Sequence, residues 1–218
     1  MQKSVSVQER SQTRSEEMAN AASHGVGLVA AIVATPFLIL HAINLDDTGF
    51  IVGASVFAIS MMLLYLASTL YHLLPADKTK SLFQVIEHSA IFILIAGTYT
   101  PFTLGALSRS WGLTLLVLIW CLAAAGVLLK IFIRTVHPVI STGLYLLMGW
   151  LIVIAMQPLS EHVPAPGIAW LFAGGIAYTL GVIFFALGSY LKYGHFIWHL
   201  FVMTGTTCHY FAVFWYAA

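Results

Sequence analysis

Charge is scarce in this chain: only 8% of its 218 residues are Asp, Glu, Lys or Arg while 60% are hydrophobic, against roughly 25% charged in soluble domains. That balance excludes a water-soluble globular protein. The nine Lys and Arg nearly cancel the eight Asp and Glu, leaving a net charge of +1, so no nucleic acid partner is expected. The two cysteines, Cys121 and Cys208, both fall within apolar segments, where thiols serve as small packing residues more often than as disulfide partners. Residues 1–22 are polar and lack the short apolar core of a cleavable signal peptide, so the first apolar segment is expected to act as its own insertion signal. The dyad alternation of a porin-like barrel is missing, and no low-complexity stretch or internal repeat is visible.

What the chain has instead is long apolar runs. A hydrocarbon core ~30 Å thick takes ~20 helical residues, and runs of that order occur at 24–44, 50–74, 82–105, 111–133, 138–157, 167–190 and 195–217. Scattered Gly, Ala, Ser and Thr within them suit close helix packing. The connections are short, as at Asn44-Leu45-Asp46-Asp47 and Lys192-Tyr193-Gly194. The predicted architecture is an all-α membrane protein: a seven-transmembrane helix bundle over residues 23–218, after a tail of residues 1–22. Basic residues are retained on the cytoplasmic side. A cytoplasmic N-terminus places Lys3, Arg10, Arg14, Lys78, Lys80, Lys130, Arg134 and Lys192 inside and leaves Arg109 outside. An odd number of crossings then puts the C-terminus outside.

This topology gathers polar groups at one depth. His24, Ser68, His72, Glu87, His88, His195 and His199 all fall in the cytoplasmic half of the bilayer, although an imidazole or carboxylate at membrane depth is costly unless compensated. His195 and His199 are four apart and share a helix face, and His72 follows Ser68 by one turn. Three convergent imidazoles match a zinc site with an open fourth position, although imidazole also suits copper, iron and nickel. The competing reading is metal-free histidines hydrogen-bonded to Ser, Thr or backbone carbonyls across helices. Glu87 is equipped to accept a proton from, or orient, a water held by the metal; the alternative is an acid paired with His88, Lys78 or Lys80. Ser68 offers a hydrogen bond to a ligand imidazole or a water, or a packing contact. His88 points about 100° away from Glu87 around a helix of 3.6 residues per turn and is not expected to be a ligand. His41, His137 and His162 read as interfacial, and His209, ~15 Å beyond His199 on the same helix, is placed to line a cavity above the site.

The residues Glu16-Glu17-Met18-Ala19-Asn20 with Ser23-His24-Gly25-Val26-Gly27, Ala67-Ser68-Thr69-Leu70-Tyr71-His72, Glu87-His88-Ser89-Ala90-Ile91-Phe92 with Ala96-Gly97-Thr98-Tyr99-Thr100-Pro101-Phe102, and His195-Phe196-Ile197-Trp198-His199 with Cys208-His209 resemble the bacterial hemolysin III family. That family is the prokaryotic branch of the progestin and adipoQ receptor (PAQR) family, and the similarity runs over nearly the whole chain. The Ser-x-x-x-His motif falls on Ser68 and His72 and the closing His-x-x-x-His on His195 and His199, so the resemblance implies that His72, His195 and His199 bind Zn2+. Adiponectin receptors, the best-known relatives, look like seven-helix proteins with a cytoplasmic N-terminus. The family commonly has aspartate where this chain has Glu87, which keeps the charge and adds one methylene. Ser23 and Gly25 read as a helix cap and a close-packing position.

Three functions follow as expectations for a protein of the bacterial cytoplasmic (inner) membrane. The first is a zinc-dependent hydrolase of a lipid amide or ester with Glu87 and Ser68 as catalytic groups, a direction in which alkaline ceramidases also point by resemblance. The second is a non-enzymatic membrane lipid sensor with a structural zinc site. The third and weakest is a pore-forming cytolysin, since seven apolar helices describe a resident membrane protein better than an exported toxin.

Overall fold

The computed structural model describes residues 10–133 and 138–218; Lys3, Arg134 and His137 lie outside the described residues. Among the described residues there are seven helices and no strand: α1 (Arg14–Asn44), α2 (Thr48–Leu73), α3 (Lys78–Ala106), α4 (Arg109–Phe132), α5 (Val139–His162), α6 (Ala165–Ala186) and α7 (Gly194–Tyr216). The first six are long and apolar enough to cross a membrane. Helix α7 is 23 residues long, but His195, His199 and His209 dilute its apolar character.

The helices coincide with the seven expected runs except at three places, each with a local cause. Helix α1 begins ten residues before the expected 24, because Thr13 and Glu16 form a reciprocal capping box. The Thr13 backbone N–H donates to Glu16 Oε2 at 3.0 Å, and Thr13 Oγ1 accepts from the Glu16 N–H at 3.4 Å, satisfying donors that a helix start leaves free. Helix α5 was expected to end before Pro158, yet it runs on to His162 through a 3₁₀ segment, Leu151–Ala155, after which α-geometry resumes at Met156. Pro158 thus sits in a first turn, where its missing N–H costs nothing. Helix α6 stops at Ala186, short of 190, and the chain turns through Leu187–Tyr193 with Tyr193 in the left-handed region at φ 60°.

The break in α5 is held from outside. Tyr99 of α3 donates its hydroxyl to the carbonyls of Met148 (2.8 Å) and Gly149 (3.0 Å) and accepts from the Ile152 N–H at 2.8 Å. A side chain inserted in this way replaces helix-ladder bonds that would otherwise be unmade.

Each of α1 to α4 packs on the next, α6 packs on α7, and α7 returns to α1; α5 touches α3, α4 and α6 more sparsely. Phe50, Phe57, Leu64, Leu115 and Val213 fill the interior, while Val26, Val29, Val33 and Phe37 of α1 face outward. Since lipid tails are as apolar as these side chains, close packing and interhelical bonds hold the bundle rather than hydrophobic burial. Gly53 shows the packing requirement: a Cβ there would lie 2.5 Å from Pro101 Cα, so α2 and α3 approach this closely only with hydrogen at that position. Bonds from Tyr210 to the Ala34 carbonyl (2.9 Å) and from Trp150 to Thr179 (3.0 Å) tie α7 to α1 and α5 to α6.

Candidate metal centre

Near the end of the bundle where α1 begins, α2, α3 and α7 bring four side chains together. His72, Glu87, His195 and His199 each offer one ligand atom, and these atoms all lie within 4.8 Å of one another. The i, i+4 spacing puts His195 and His199 on one face of α7, with ring centroids 4.7 Å apart. His72, in the last turn of α2, stands 5.1 Å from each of them by ring centroid. Glu87, two turns into α3, sets Oε1 3.7 Å from His72 Nε2. His72, Glu87 and His199 are buried.

The proton positions can be assigned from the partners. His72 Nδ1 lies 2.6 Å from Glu17 Oε2, and Lys80 Nζ lies 2.8 Å from Glu17 Oε1. A carboxylate paired with a lysine only accepts, so Nδ1 carries a proton, and the neutral ring that a metal requires then has its lone pair on Nε2. Ser23 donates to the Asn20 carbonyl at 2.7 Å. His199 Nδ1 is 3.2 Å from the same carbonyl and 3.0 Å from Ser23 Oγ, so it donates there and likewise leaves Nε2 free. His72 Nε2 and His195 Nε2 are buried with no hydrogen-bond partner in the protein. Orphaned nitrogens of this kind cost about 1–3 kcal/mol each, which makes a bound group the natural partner.

The other residues singled out by sequence fall as follows. Ser68 is fully buried one turn from His72, and its Oγ has no partner in the protein. Lys80, weighed as a partner for Glu87, pairs with Glu17 instead. His88 lies outside the cluster, its carbonyl accepting the Tyr145 hydroxyl at 2.9 Å. His41 stacks on Phe214 with centroids 4.5 Å apart, and His162 Nδ1 lies 2.9 Å from the Pro158 carbonyl. His209 Nε2 lies 3.1 Å from the Leu171 carbonyl, and its ring lines a chamber of about 120 Å³.

That chamber sits one helical turn deeper than the cluster. Its wall includes Leu64, Ile91 and Val202, which follow or precede Ser68, Glu87 and His199 by a turn on their own helices. Its remaining surface is almost wholly apolar, with Tyr99, Trp150 and Trp198 among the residues that line it.

Sequence reasoning gave two contributors no role in the site, although it placed His24 at the same depth. Glu17 reaches His72, and His24 stacks on His199 with centroids 3.6 Å apart and planes 3° from parallel, both its nitrogens unpartnered. The signal was present in the spacing of Glu17, Asn20 and His24, at i, i+3 and i+7 on one helix face.

The fold and cluster define a class: a multi-pass helical membrane protein with a buried histidine and carboxylate cluster fit to hold a metal ion. The family described as haemolysin-III related matches residues 12–210, and the chain belongs to that family. It is 46% identical to the hemolysin-3 homolog of Bacillus subtilis (strain 168) over 204 residues, covering 94% of this chain and 95% of that protein. It is also 46% identical to hemolysin-3 of Bacillus cereus over 201 residues, 92% of this chain and 91% of the other. A more distant relative is the monocyte to macrophage differentiation factor of Homo sapiens, 28% identical over 212 residues, with 92% and 84% of the two chains covered.

Proposed function

We propose that this protein crosses the cytoplasmic membrane seven times from a cytoplasmic N-terminus, holds zinc on His72, His195 and His199, and hydrolyses a lipid amide or ester beside Glu87. The observation that carries this is the convergence of four ligand atoms within 4.8 Å, with His72 Nε2 and His195 Nε2 buried and unpartnered. The donor set fits the ion: Zn–N bonds of about 2.0–2.1 Å in tetrahedral geometry space ligand atoms roughly 3.3 Å apart, near the 3.7 Å between His72 Nε2 and Glu87 Oε1. When bound, zinc supplies Lewis acidity and brings the pKa of a water in an open position to about 7.

The chain's own groups supply the rest. Glu87 carries an acceptor oxygen at the cluster, placed to take a proton from an attacking water and return it to a leaving amine or alcohol. Ser68, without a protein partner, has a hydroxyl free to donate to an acyl oxygen. The apolar chamber one turn deeper accepts an acyl chain while the polar cluster meets its carbonyl, and its walls keep bulk water from the reacting bond. Membrane lipid is thus both solvent and source of substrate.

One observation favours a second reading. Glu87 lies as close to His72 as a fourth ligand would, and four protein donors make the closed arrangement of structural zinc sites; on that reading the bundle is a lipid-responsive sensor. Zinc stoichiometry of the purified wild type against His72→Ala, His195→Ala and His199→Ala tests the site. Hydrolysis of a lipid panel by wild type and Glu87→Ala then separates the two readings. Turnover that disappears in Glu87→Ala while zinc is retained supports the hydrolase; zinc lost together with Glu87 supports the closed site.

A further inference from the structure

Helix α1 supplies no metal ligand, yet it touches two of the three ligand imidazoles. Glu17 meets His72 Nδ1 at 2.6 Å, while the Asn20 carbonyl and Ser23 Oγ meet His199 Nδ1 at 3.2 and 3.0 Å. Asn20 meets His199 through its backbone, which survives substitution, and its side chain reaches His72 Nδ1 only at 3.5 Å with Nδ2 already bonded to Gln12 at 2.6 Å; Ser23 Oγ is committed to the Asn20 carbonyl at 2.7 Å. Glu17 makes the shortest of these contacts to a ligand imidazole and carries the charge, so it is the α1 side chain on which a role is tested.

We propose that Glu17 is the positioning residue of the metal centre, a proposal that rests on the zinc reading above. Its carboxylate accepts a hydrogen bond from the Nδ1–H of His72 and holds the tautomer and ring orientation that present Nε2 to the ion. A neutral imidazole has two tautomers, and the wrong one aims its N–H at the metal. With Glu17 accepting at Nδ1 that tautomer is disfavoured twice, by a lost hydrogen bond and by a lone pair facing an anionic oxygen. The other carboxylate oxygen accepts from Lys80 at 2.8 Å, which holds Glu17 in place from α3. His72 has no alternative anchor of this strength: its side chain is 1% exposed and Nε2 has no partner in the protein. The arrangement links three helices through one carboxylate, and it gives the Glu16-to-Asn20 stretch a part in the site's chemistry.

The test uses the full-length protein purified in detergent, with zinc affinity read by competition against a chromophoric chelator. Outer partners of ligating histidines are worth about 10–100-fold in metal affinity, and Glu17→Ala is expected to lose that much. Glu17→Gln, whose amide oxygen still accepts, falls between Ala and wild type. Lys80→Met removes the other Glu17 contact without touching His72, and is expected to weaken zinc binding clearly less than Glu17→Ala does. Wild-type affinity in Glu17→Ala overturns the proposal. Equal weakening by Glu17→Ala and Lys80→Met also overturns it, because it marks Glu17 as a tie between helices. The visible absorption of the Co2+-loaded protein adds a readout that a mere tie would not move: altered bands in Glu17→Gln support the proposal, and unchanged bands count against it even where Glu17→Ala fails to fold. His72→Ala keeps the two readings apart. If it retains zinc, the metal centre itself is wrong; if it loses zinc while Glu17→Ala does not, only the role of Glu17 fails.

Discussion

Replacing Tyr99 with phenylalanine removes one oxygen on which three backbone groups depend. The Ile152 N–H donates to that oxygen, and the Met148 and Gly149 carbonyls share its proton. Because Leu151–Ala155 has left α-geometry, these groups have no ladder partners to fall back on. Interhelical hydrogen bonds in membrane proteins average about 0.6 kcal/mol and reach about 1.7, while an orphaned buried N–H costs about 1–3 kcal/mol. Together these put Tyr99→Phe at about 2–3 kcal/mol, roughly a 30- to 150-fold shift in the folding equilibrium at 1.4 kcal/mol per decade. Tyr145→Phe is the control. Its hydroxyl donates to the His88 carbonyl at 2.9 Å, and that carbonyl lies within α3, so its loss costs only the average bond. Reversible unfolding in mixed detergent micelles gives both values, and hydrogen exchange at the Ile152 amide shows whether the break itself has loosened. If Tyr99→Phe is no more destabilised than Tyr145→Phe, or if Ile152 stays protected, the break in α5 is not held by Tyr99 and this account of it is wrong.

Other outcomes follow from the same geometry. His199→Ala is expected to abolish stoichiometric zinc binding, measured by metal analysis of the purified protein, because it removes a buried ligand and leaves His24 without its stacking partner. Glu87→Gln keeps a side chain of the same shape without a basic oxygen; zinc content stays near wild type while turnover on a lipid panel falls by about 10²–10⁴-fold, the usual worth of a general base. Gly175→Phe builds a ring against the chamber wall, where a Cβ meets Trp150 at an ordinary 3.6 Å. Retained zinc with lost turnover on long-chain substrates is the expected result, and unimpaired long-chain turnover would rule out the chamber as the acyl site. In a cysteine-free background, single cysteines at Asp46 and Glu161 should react with an impermeant maleimide on intact cells, and those at Asp77 and Lys192 only after permeabilisation.

Much of this architecture was legible in the sequence. Hydrophobic runs mark all seven helices, six of them long and apolar enough to cross a membrane, since a helix in lipid has to satisfy its own backbone and can do so without a specific partner. The i, i+4 spacing of His195 and His199 was equally readable, because it needs only helical geometry. Thr13-Arg14-Ser15-Glu16 carried the capping-box signature, and the earlier start of α1 could have been taken from it. The course of α5 past Pro158 could not, because it depends on Tyr99 arriving from another helix. Glu17 stands between the two cases: its spacing with Asn20 and His24 marks a polar face of α1, but no periodicity in either helix relates Glu17 to His72, 55 residues away along the chain.

The sequence by itself determined that this is a helical membrane protein, and which histidines lie at a common depth, because hydropathy and helical rise act locally along the chain. Only the tertiary structure decided which of those histidines meet, which nitrogen each one offers, and that a first-helix carboxylate holds one of them in place. Those depend on the rotation of α1, α2, α3 and α7 about their own axes. That rotation is set by contacts between helices such as Gly53 against Pro101, where the closeness of approach is a property of the pair and is written in neither helix alone.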